Sequence, residues 1–302
     1  MNRLEQLLAV YAIFVLLVAV RCYFIRLKSL QWSLLDKGAV AGAVVGFLIG
    51  IDAFFIEPNW VTTNVINIPS LRLTANAADI TIVHLSDLHV RPTFKLREEL
   101  LVKKVNNLKP DLIVITGDIL EKPTEISTAF ELLKSMKPSI GTYVVLGNTD
   151  YRKLKQAQLV KLFRRAGVTP LINENTLLHF PNGAVSIAGV DDPVHKRDNL
   201  EKTLKGIPDG VPVILLSHSP EIYPRALVKD VDLILAGHTH GGQIGIPWLV
   251  KLSNYANRSP YLKGLFHDGK SYMYVNKGIG TKMFPIRFLC PPEITVLKFV
   301  TS

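Results

Sequence analysis

The sequence predicts an α/β domain whose sheets are covered by helices, preceded by an N-terminal membrane-inserted helical segment. Three observations lead there. Two long apolar stretches open the chain. From about Ile80, short β-branched apolar runs recur, each ending in polar residues. Amphipathic helical stretches lie between several of these runs, and strands alternating with helices make an α/β fold. The 302 residues allow one large domain plus an appendage. With 48% hydrophobic and 20% charged residues, the chain is not disordered.

The first element is the anchor. Leu4 to Val20 is apolar apart from Glu5 and Gln6, and Gly38 to Ile56 is interrupted by Asp52. Each is near the ~20 residues that cross a bilayer, which predicts a helical hairpin over residues 1–57. A weak basic N-terminal region and the second apolar run argue against a cleavable signal peptide. Arg21, Arg26, Lys28 and Lys37 around the connecting loop favour its cytoplasmic placement. If both helices span, the rest of the chain faces outward; if the hairpin only dips into one leaflet, the rest can be cytoplasmic. Residues 58–79 read as a linker with an early strand.

In the body, Ile80–Leu85 leads into Ser86-Asp87-Leu88-His89, and Leu112–Ile115 into Thr116-Gly117-Asp118. Tyr143–Leu146 leads into Gly147-Asn148, Val213–Leu216 into Ser217-His218, and Leu233–Ala236 into Gly237-His238-Thr239-His240. Uninterrupted runs of this kind predict strands buried on both faces. Lys95–Leu108 and Lys155–Ala166 predict helices between them. The net charge is +10, nearly all of it outside residues 1–57, which hold five basic and four acidic side chains. A basic body suits an anionic partner such as a phosphate-bearing substrate or lipid headgroups. No basic–aromatic strip suited to stacked bases is present, so a nucleic-acid partner is not expected. Cys22 and Cys290 lie far apart and outside any CxxC pattern, so neither a disulfide framework nor a thiolate metal site is indicated.

Ligands of open α/β sheets bind at the carboxyl ends of strands. Five runs place Asp87, His89, Asp118, Asn148, His218, His238 and His240 there. All are oxygen or imidazole donors, a set that suits two divalent ions such as Mn, Fe, Zn or Ni. Asp-x-His and His-x-His follow strands, where alternate residues can point the same way. Four of the eight histidines fall at these ends. Two cations a few Å apart clamp a phosphoryl group and lower the pKa of a shared water.

In order, these five segments resemble the motifs of the calcineurin-like metallophosphoesterases, over about residues 80–298. The stretches "GHTHGGQI" and "NKGIG…PIRFLCPPEITVL" are similar to the bacterial, membrane-associated branch of that family. The resemblance implies a four-layer αββα sandwich over residues 80–302 with metals at its edge. It implies that Asp87, His89 and His240 hold the first metal, that Asp118 bridges, and that Asn148, His218 and His238 hold the second. It also implies catalytic roles for Asn148, Asp150 and His238.

One position departs from the family pattern. Where the family has a histidine that protonates the leaving oxygen or steadies the transition state, this chain has Thr149. Threonine cannot be a general acid near pH 7, so a leaving group that is already acidic, such as a phosphate, is expected. His195 and His84 are the candidates to replace that histidine. Arg258 and Lys282, in looped sequence after His240, are candidate substrate contacts with His195; Arg152, Arg197, Arg225, Trp248 and Tyr255 could shape the entrance. These features predict a membrane-anchored di-metal phosphohydrolase, Mn being the favoured metal, that cleaves a lipid-linked phosphodiester or pyrophosphate. The chain is also similar to the membrane-associated UDP-2,3-diacylglucosamine pyrophosphatases of lipid A synthesis. The alternatives are a broad envelope phosphodiesterase or phosphatase and a metal-bound interaction module without turnover.

Overall fold

The structure is a computed structural model and describes all residues except 1–2, 29, 91–95, 121, 153, 251–258, 283 and 302, with the side chains of 3–10, 248 and 249 also outside the description. The chain begins with two helices, α1 (Arg3–Leu27) and α2 (Leu34–Ile51). They run antiparallel. The Tyr11 hydroxyl donates to the Ala43 carbonyl at 2.7 Å, the Tyr11 ring packs on Gly46, and Arg21 pairs with Asp36 at 2.8 Å. A small residue such as Gly46 lets the helices approach this closely. Ser33 caps α2 by accepting the Asp36 N–H, while the Asp36 carboxylate accepts the Ser33 N–H. Helical turns continue past Ile51, so Leu34–Asn59 is a run of 26 residues that contains an 18-residue window of mean hydropathy 2.3. Among the described residues it is the one helix long and apolar enough to cross a membrane.

The body contains β1 (Thr62–Pro69), α3 (Leu71–Ala77), β2 (Ile82–Leu85), α4 (Leu96–Asn107), β3 (Leu112–Thr116), α5 (Ile126–Ser135), β4 (Gly141–Val145) and α6 (Gln156–Arg165). Then follow β5 (Val168–Pro170), β6 (Glu174–Phe180), β7 (Gly183–Gly189), β8 (Val213–Leu216), β9 (Leu233–Ala236), β10 (Gly264–Asp268), β11 (Ser271–Val275) and β12 (Glu293–Val300). One six-stranded sheet has the order β1-β12-β2-β3-β4-β5 and the other β10-β11-β9-β8-β7-β6. Pairing is parallel except for β12–β2, β6–β7 and β10–β11. Residues 58–79 thus supply β1 and α3 to the sandwich: β1 pairs with β12 from Thr62↔Glu293 to Pro69↔Val300.

Period-two alternation sorts the side chains into layers. Ile82, Leu112, Val114 and Val145 of the first sheet meet Val185, Ile187, Ile214, Leu216, Leu233 and Leu235 of the second in the central core. Val83, Leu85, Ile113, Ile115 and Val144 face outward under Leu101 and Val105 of α4, Leu132 and Leu133 of α5, and Leu159 and Phe163 of α6. On the far side, Leu215, Ile234, Met273 and Val275 are covered by Leu200, Ile222, Tyr223 and Ala226. The result is the four-layer αββα sandwich. Strands β2, β3, β8 and β9 are buried throughout, as covered sheets require. The carboxyl ends of β2, β3, β4, β8 and β9 open at one edge, where the polar segments gather.

Candidate metal centre

The strand ends do not deliver their side chains by simple alternation. β2 stops at Leu85, and Asp87, His89 and Val90 continue along the next loop: their N–H groups donate to the carbonyls of Gly117, Asp118 and Ile119 at 3.0, 3.0 and 3.1 Å. Asp87, His89, Asp118, His238 and His240 all have left-handed backbones, with φ of 48°, 38°, 53°, 71° and 53°. The convergence of Asp-x-His and of His-x-His therefore comes from left-handed turns rather than from a strand period. Such strain in non-glycine residues gathers at functional sites. Close packing of the loops requires Gly237, where a Cβ would lie 1.8 Å from Ser86 Oγ and 2.4 Å from Asp87 Oδ2.

Seven polar side chains meet there. His89 Nε2 lies 3.3 Å from His240 Nε2 and 3.6 Å from Asp118 Oδ2. His240 Nε2 lies 3.3 Å from Asp87 Oδ1. His218 Nε2 is 3.4 Å from Asp118 Oδ1, 3.1 Å from Asn148 Oδ1 and 3.0 Å from His238 Nδ1. Asp87, His89 and His240 can hold one ion, and donor atoms of Asp87, Asp118 and His218 also lie within 4.8 Å of one another. The fit to cations is chemical as well as geometric. Asp87 Oδ1 and Asp118 Oδ2 are fully buried carboxylate oxygens without a hydrogen-bond partner among the described residues. Asp118 Oδ2 meets the Lys282 ammonium at 3.5 Å, while Asp87 Oδ1 is costly to bury unless a further cation meets it. The donor set is that of a two-ion site.

The protonation states suit ligands. Burial pushes His89 down to about 3 and holds His240 well below its ordinary value, so both rings are neutral donors. Burial raises Asp87. For Asp118, burial is outweighed by His218, His89 and Lys282, and its pKa falls. At His218, burial opposes the charge but the Asp118 and Asp87 carboxylates raise the pKa. The other ring nitrogen, Nδ1, is fixed by the Thr116 carbonyl at 2.8 Å, the kind of outer contact that orients a ligating histidine.

Asp150, expected among the catalytic residues, lies beneath the centre. Its carboxylate accepts the N–H groups of Gly147, Asp118, Ile119 and Leu120 at 2.9–3.0 Å. Burial and the Asp118 charge push it up to about 7, against the pull of those donors. It ties two ligand loops together, and both its oxygens are occupied. Thr149 donates its N–H to Asp118 Oδ1 at 2.8 Å, while its buried hydroxyl oxygen has no hydrogen-bond partner among the described residues. Lys282 reaches the centre, with Nζ 3.5 Å from Asp118 Oδ2. His195 does not join the seven: its Nδ1 lies 2.5 Å from Asp192 Oδ2 and the ring is about half exposed. His84 is buried in β2 with Nε2 2.8 Å from Thr116 Oγ1. Arg258 and Tyr255 lie outside the described residues, as does the side chain of Trp248. Arg225 pairs with Asp198, and Arg197 stacks over the Tyr151 ring.

Sequence reasoning missed three supporting residues. Gln243 Oε1 accepts the Lys282 N–H at 2.6 Å and so places that lysine. Arg287, fully buried, donates to the carbonyls of Lys277, Gly278, Gly280 and Cys290. Arg97 donates to the carbonyls of Leu88 and His89 at 3.3 and 3.2 Å. The sequence signal for Arg287 was a lone arginine inside the apolar stretch "FPIRFLC", where a charge must be bonded internally.

Comparison with known proteins agrees with this geometry. The calcineurin-like phosphoesterase family matches residues 80–242. The "Uncharacterized metallophosphoesterase YkuE" of Bacillus subtilis (strain 168) is 31% identical over 281 residues, covering 91% of this chain and 96% of that protein. A "Transmembrane protein with metallophosphoesterase domain" from Bos taurus is 34% identical over 261 residues, covering 80% of this chain and 57% of its own length. Among solved structures, a dimetal phosphatase from Danio rerio is 11% identical with a TM-score of 0.41, covering 66% of this chain and 88% of that one. The fold and the two-ion donor set define a metal-dependent phosphoester hydrolase. The chain belongs to the calcineurin-like phosphoesterase family.

Proposed function

We propose that this chain is a membrane-anchored di-metal phosphohydrolase of the bacterial inner membrane that cleaves a lipid-linked phosphodiester or pyrophosphate. In this reading Asp87, His89 and His240 hold one cation, Asn148, His218 and His238 hold the other, and Asp118 bridges. The observation that carries the reading is the pair of buried oxygens, Asp87 Oδ1 and Asp118 Oδ2, that face imidazole nitrogens without a hydrogen-bond partner among the described residues. Bound divalent ions, Mn in the first instance, supply charge neutralisation of the phosphoryl oxygens and hydroxide near neutral pH.

The protein's own residues do the rest. Lys282 brings a positive charge to the centre and draws the substrate phosphate to it, with Arg258 and His195 as further contacts for the substrate. His238, only partly buried, stands where a phosphoryl group arrives, and the Thr116 carbonyl holds the His218 ring through Nδ1. Asp150 positions the loops of Asp118 and Asn148. Thr149 offers no proton, so the leaving group departs on its own acidity. That favours an anhydride, whose leaving phosphate has a second pKa of about 6, and UDP-2,3-diacylglucosamine combines such a group with a lipid. The apolar run Leu34–Asn59 and the net charge of +10 support a lipid-borne anion.

The test is purified full-length protein in detergent with Mn²⁺ on UDP-2,3-diacylglucosamine, with UMP release followed and Asp118→Asn as the blank. Release absent from the blank is expected, and with it a cytoplasmic reporter signal from a C-terminal fusion; with the second helix spanning, that signal requires the basic loop to lie outside, against its charge. Cleavage of a soluble aryl phosphodiester without UMP release would replace the nucleotide-lipid substrate with an envelope phosphodiester. No turnover on either would leave a metal-bound interaction module.

A further inference from the structure

We infer that the catalytic body rests on the lipid surface through an apolar rim of Phe55, Ile56, Trp60 and Leu289, which holds the metal centre at headgroup depth. Its substrate class is then a phosphoester carried by the bilayer itself. That substrate clause rests on the phosphohydrolase reading above; the surface does not.

The depth follows from length. Asp36 and Lys37 open the helix, so the apolar stretch that can cross is Gly38–Ile56, about 28 Å at 1.5 Å per residue and close to the ~30 Å hydrocarbon core. Phe55 and Ile56 then close the core, and Trp60 enters the headgroup layer. There the helical surface divides. Phe55, Ile56 and Trp60 are 71%, 52% and 63% exposed, whereas Ala53 and Glu57 are buried. Ala53, in the π-helical turn Asp52–Ile56, and Glu57, at its end, grip the body. The Ala53 carbonyl accepts the Arg287 N–H at 3.0 Å. The Glu57 carboxylate accepts the N–H groups of Leu289, at 2.7 Å, and Cys290.

This grip brings Leu289, 232 residues from Glu57 in sequence, level with the end of the anchor. Leu289 has a left-handed backbone with φ 53° and a side chain 61% exposed. A bulky residue rarely adopts that conformation, and its apolar side chain, left in water, gains nothing by it. Beside an emerging membrane helix it extends the apolar face. Tryptophan and aliphatic side chains at this depth are those that bilayer interfaces favour.

The same contacts run directly to the ligands. Cys290 Sγ lies 3.6 Å from the carbonyls of His240 and Gly241. Arg287 gathers the carbonyls of Gly278 and Gly280, whose Cα positions sit against Asp87 and His89: an added Cβ would lie 2.8 and 2.5 Å from their Cβ atoms. One layer of residues therefore separates the rim from the metal centre. The occupant of the rim is the bilayer that holds α2, because the apolar surface is continuous with that helix.

The test uses full-length protein reconstituted in phosphatidylcholine vesicles. Leu289→Trp is made with Trp32, Trp60 and Trp248 each changed to Phe, and its emission is compared between ordinary vesicles and vesicles whose acyl chains carry bromine. Severalfold quenching is expected. Unquenched emission at the wavelength of water-exposed indole would overturn the inference. A second variant, keeping Trp60 as its one tryptophan and Leu289 unchanged, guards against misfolding and must be quenched as well. Hydrolysis of a vesicle-borne phosphodiester and of a soluble aryl phosphodiester by the unaltered protein is measured in parallel. Quenching with no hydrolysis of either leaves the surface in place and removes the enzyme reading. Hydrolysis without quenching does the reverse.

Discussion

Replacing Lys282 with methionine separates metal binding from substrate binding. The ammonium stands 3.5 Å from Asp118 Oδ2 on a side chain 12% exposed. At that separation, with an effective dielectric near 20, one charge pair is worth about 5 kcal/mol. Residual hydration and the roughly 2 kcal/mol of side-chain entropy that lysine loses when fixed reduce the net effect to about 2 kcal/mol. A phosphate drawn to the same ammonium should therefore bind about 30-fold more weakly to Lys282→Met. The same change removes a cation that faces the Asp118 carboxylate, so Mn²⁺ affinity should stay level or rise. The assay is KM for an aryl phosphodiester and the inhibition constant of inorganic phosphate, with Mn²⁺ binding measured by titration on the same preparation. A KM and a phosphate constant both within about threefold of the unaltered protein would refute the role of Lys282. Parallel loss of metal and phosphate binding would mean that the lysine supports the loop rather than the substrate.

Two further outcomes follow from the same side chains. Because Thr149 supplies no proton, hydrolysis should be steeply sensitive to leaving-group pKa. An alkyl ester should react about 10²–10⁴-fold more slowly than an aryl ester of equal size, and a flat series would point to an acid elsewhere in the site. In the metal-free protein, His84 and His89 are both held down to about 3 by burial. Their folded pKa values lie below the unfolded one, so the unfolded chain binds more protons between pH 6.5 and 3. Stability should then fall with pH across that window, by about 1.4 kcal/mol per pH unit for each histidine. Asp150, raised to about 7, and Asp87, also raised, pull the other way. Urea unfolding of chelated protein from pH 7 to pH 4 is therefore compared with that of His84→Asn. The variant should lose the His84 share of the slope, and equal slopes would contradict the burial of that ring.

The strands that carry the site were legible because burial on both faces leaves an uninterrupted apolar run, as at Leu112–Thr116. The donors were legible because each follows such a run directly. Other elements left weaker marks. α5 at Ile126–Ser135 opens with Ile-Ser-Thr, which reads equally well as a loop. The β6–β7 hairpin turns at Pro181-Asn182, and half-buried strands such as β6 show little contrast between faces. β1 matches the early strand read in residues 58–79, but its pairing with β12, at the other end of the chain, left no mark in the sequence. The grouping of donors was recoverable from residue order only through family resemblance. Their close approach depends on left-handed turns at Asp87, His89, Asp118, His238 and His240, and backbone handedness at Asp or His is not written in composition. Asp150 was visible as a carboxylate, but its four N–H partners come from two segments that meet only when β3 and β4 pair.

Those left-handed turns carry a consequence for metal removal. Each costs a non-glycine residue about 1–2 kcal/mol, less for Asp and His, whose short polar side chains tolerate the region best. Asp87 Oδ1 adds a buried carboxylate oxygen without a hydrogen-bond partner among the described residues, and Asp118 Oδ2 another that meets Lys282 at 3.5 Å. The metal-free centre therefore stores cost that cations relieve only in the folded state, since the unfolded chain scatters the donors over residues 87–240. A cation present at 100 times its dissociation constant stabilises by about 2.7 kcal/mol, which in a domain of this size raises Tm by about 5–10 °C. Chelated protein should melt that much lower, and Mn²⁺ should restore the transition while Mg²⁺, which prefers all-oxygen octahedral sites, restores it less. Calorimetry of the detergent-solubilised protein before and after chelation decides it. Equal melting temperatures would mean that the strain is relieved within the protein, by the Asp150 and Thr149 contacts alone, and that the centre does not depend on its ions.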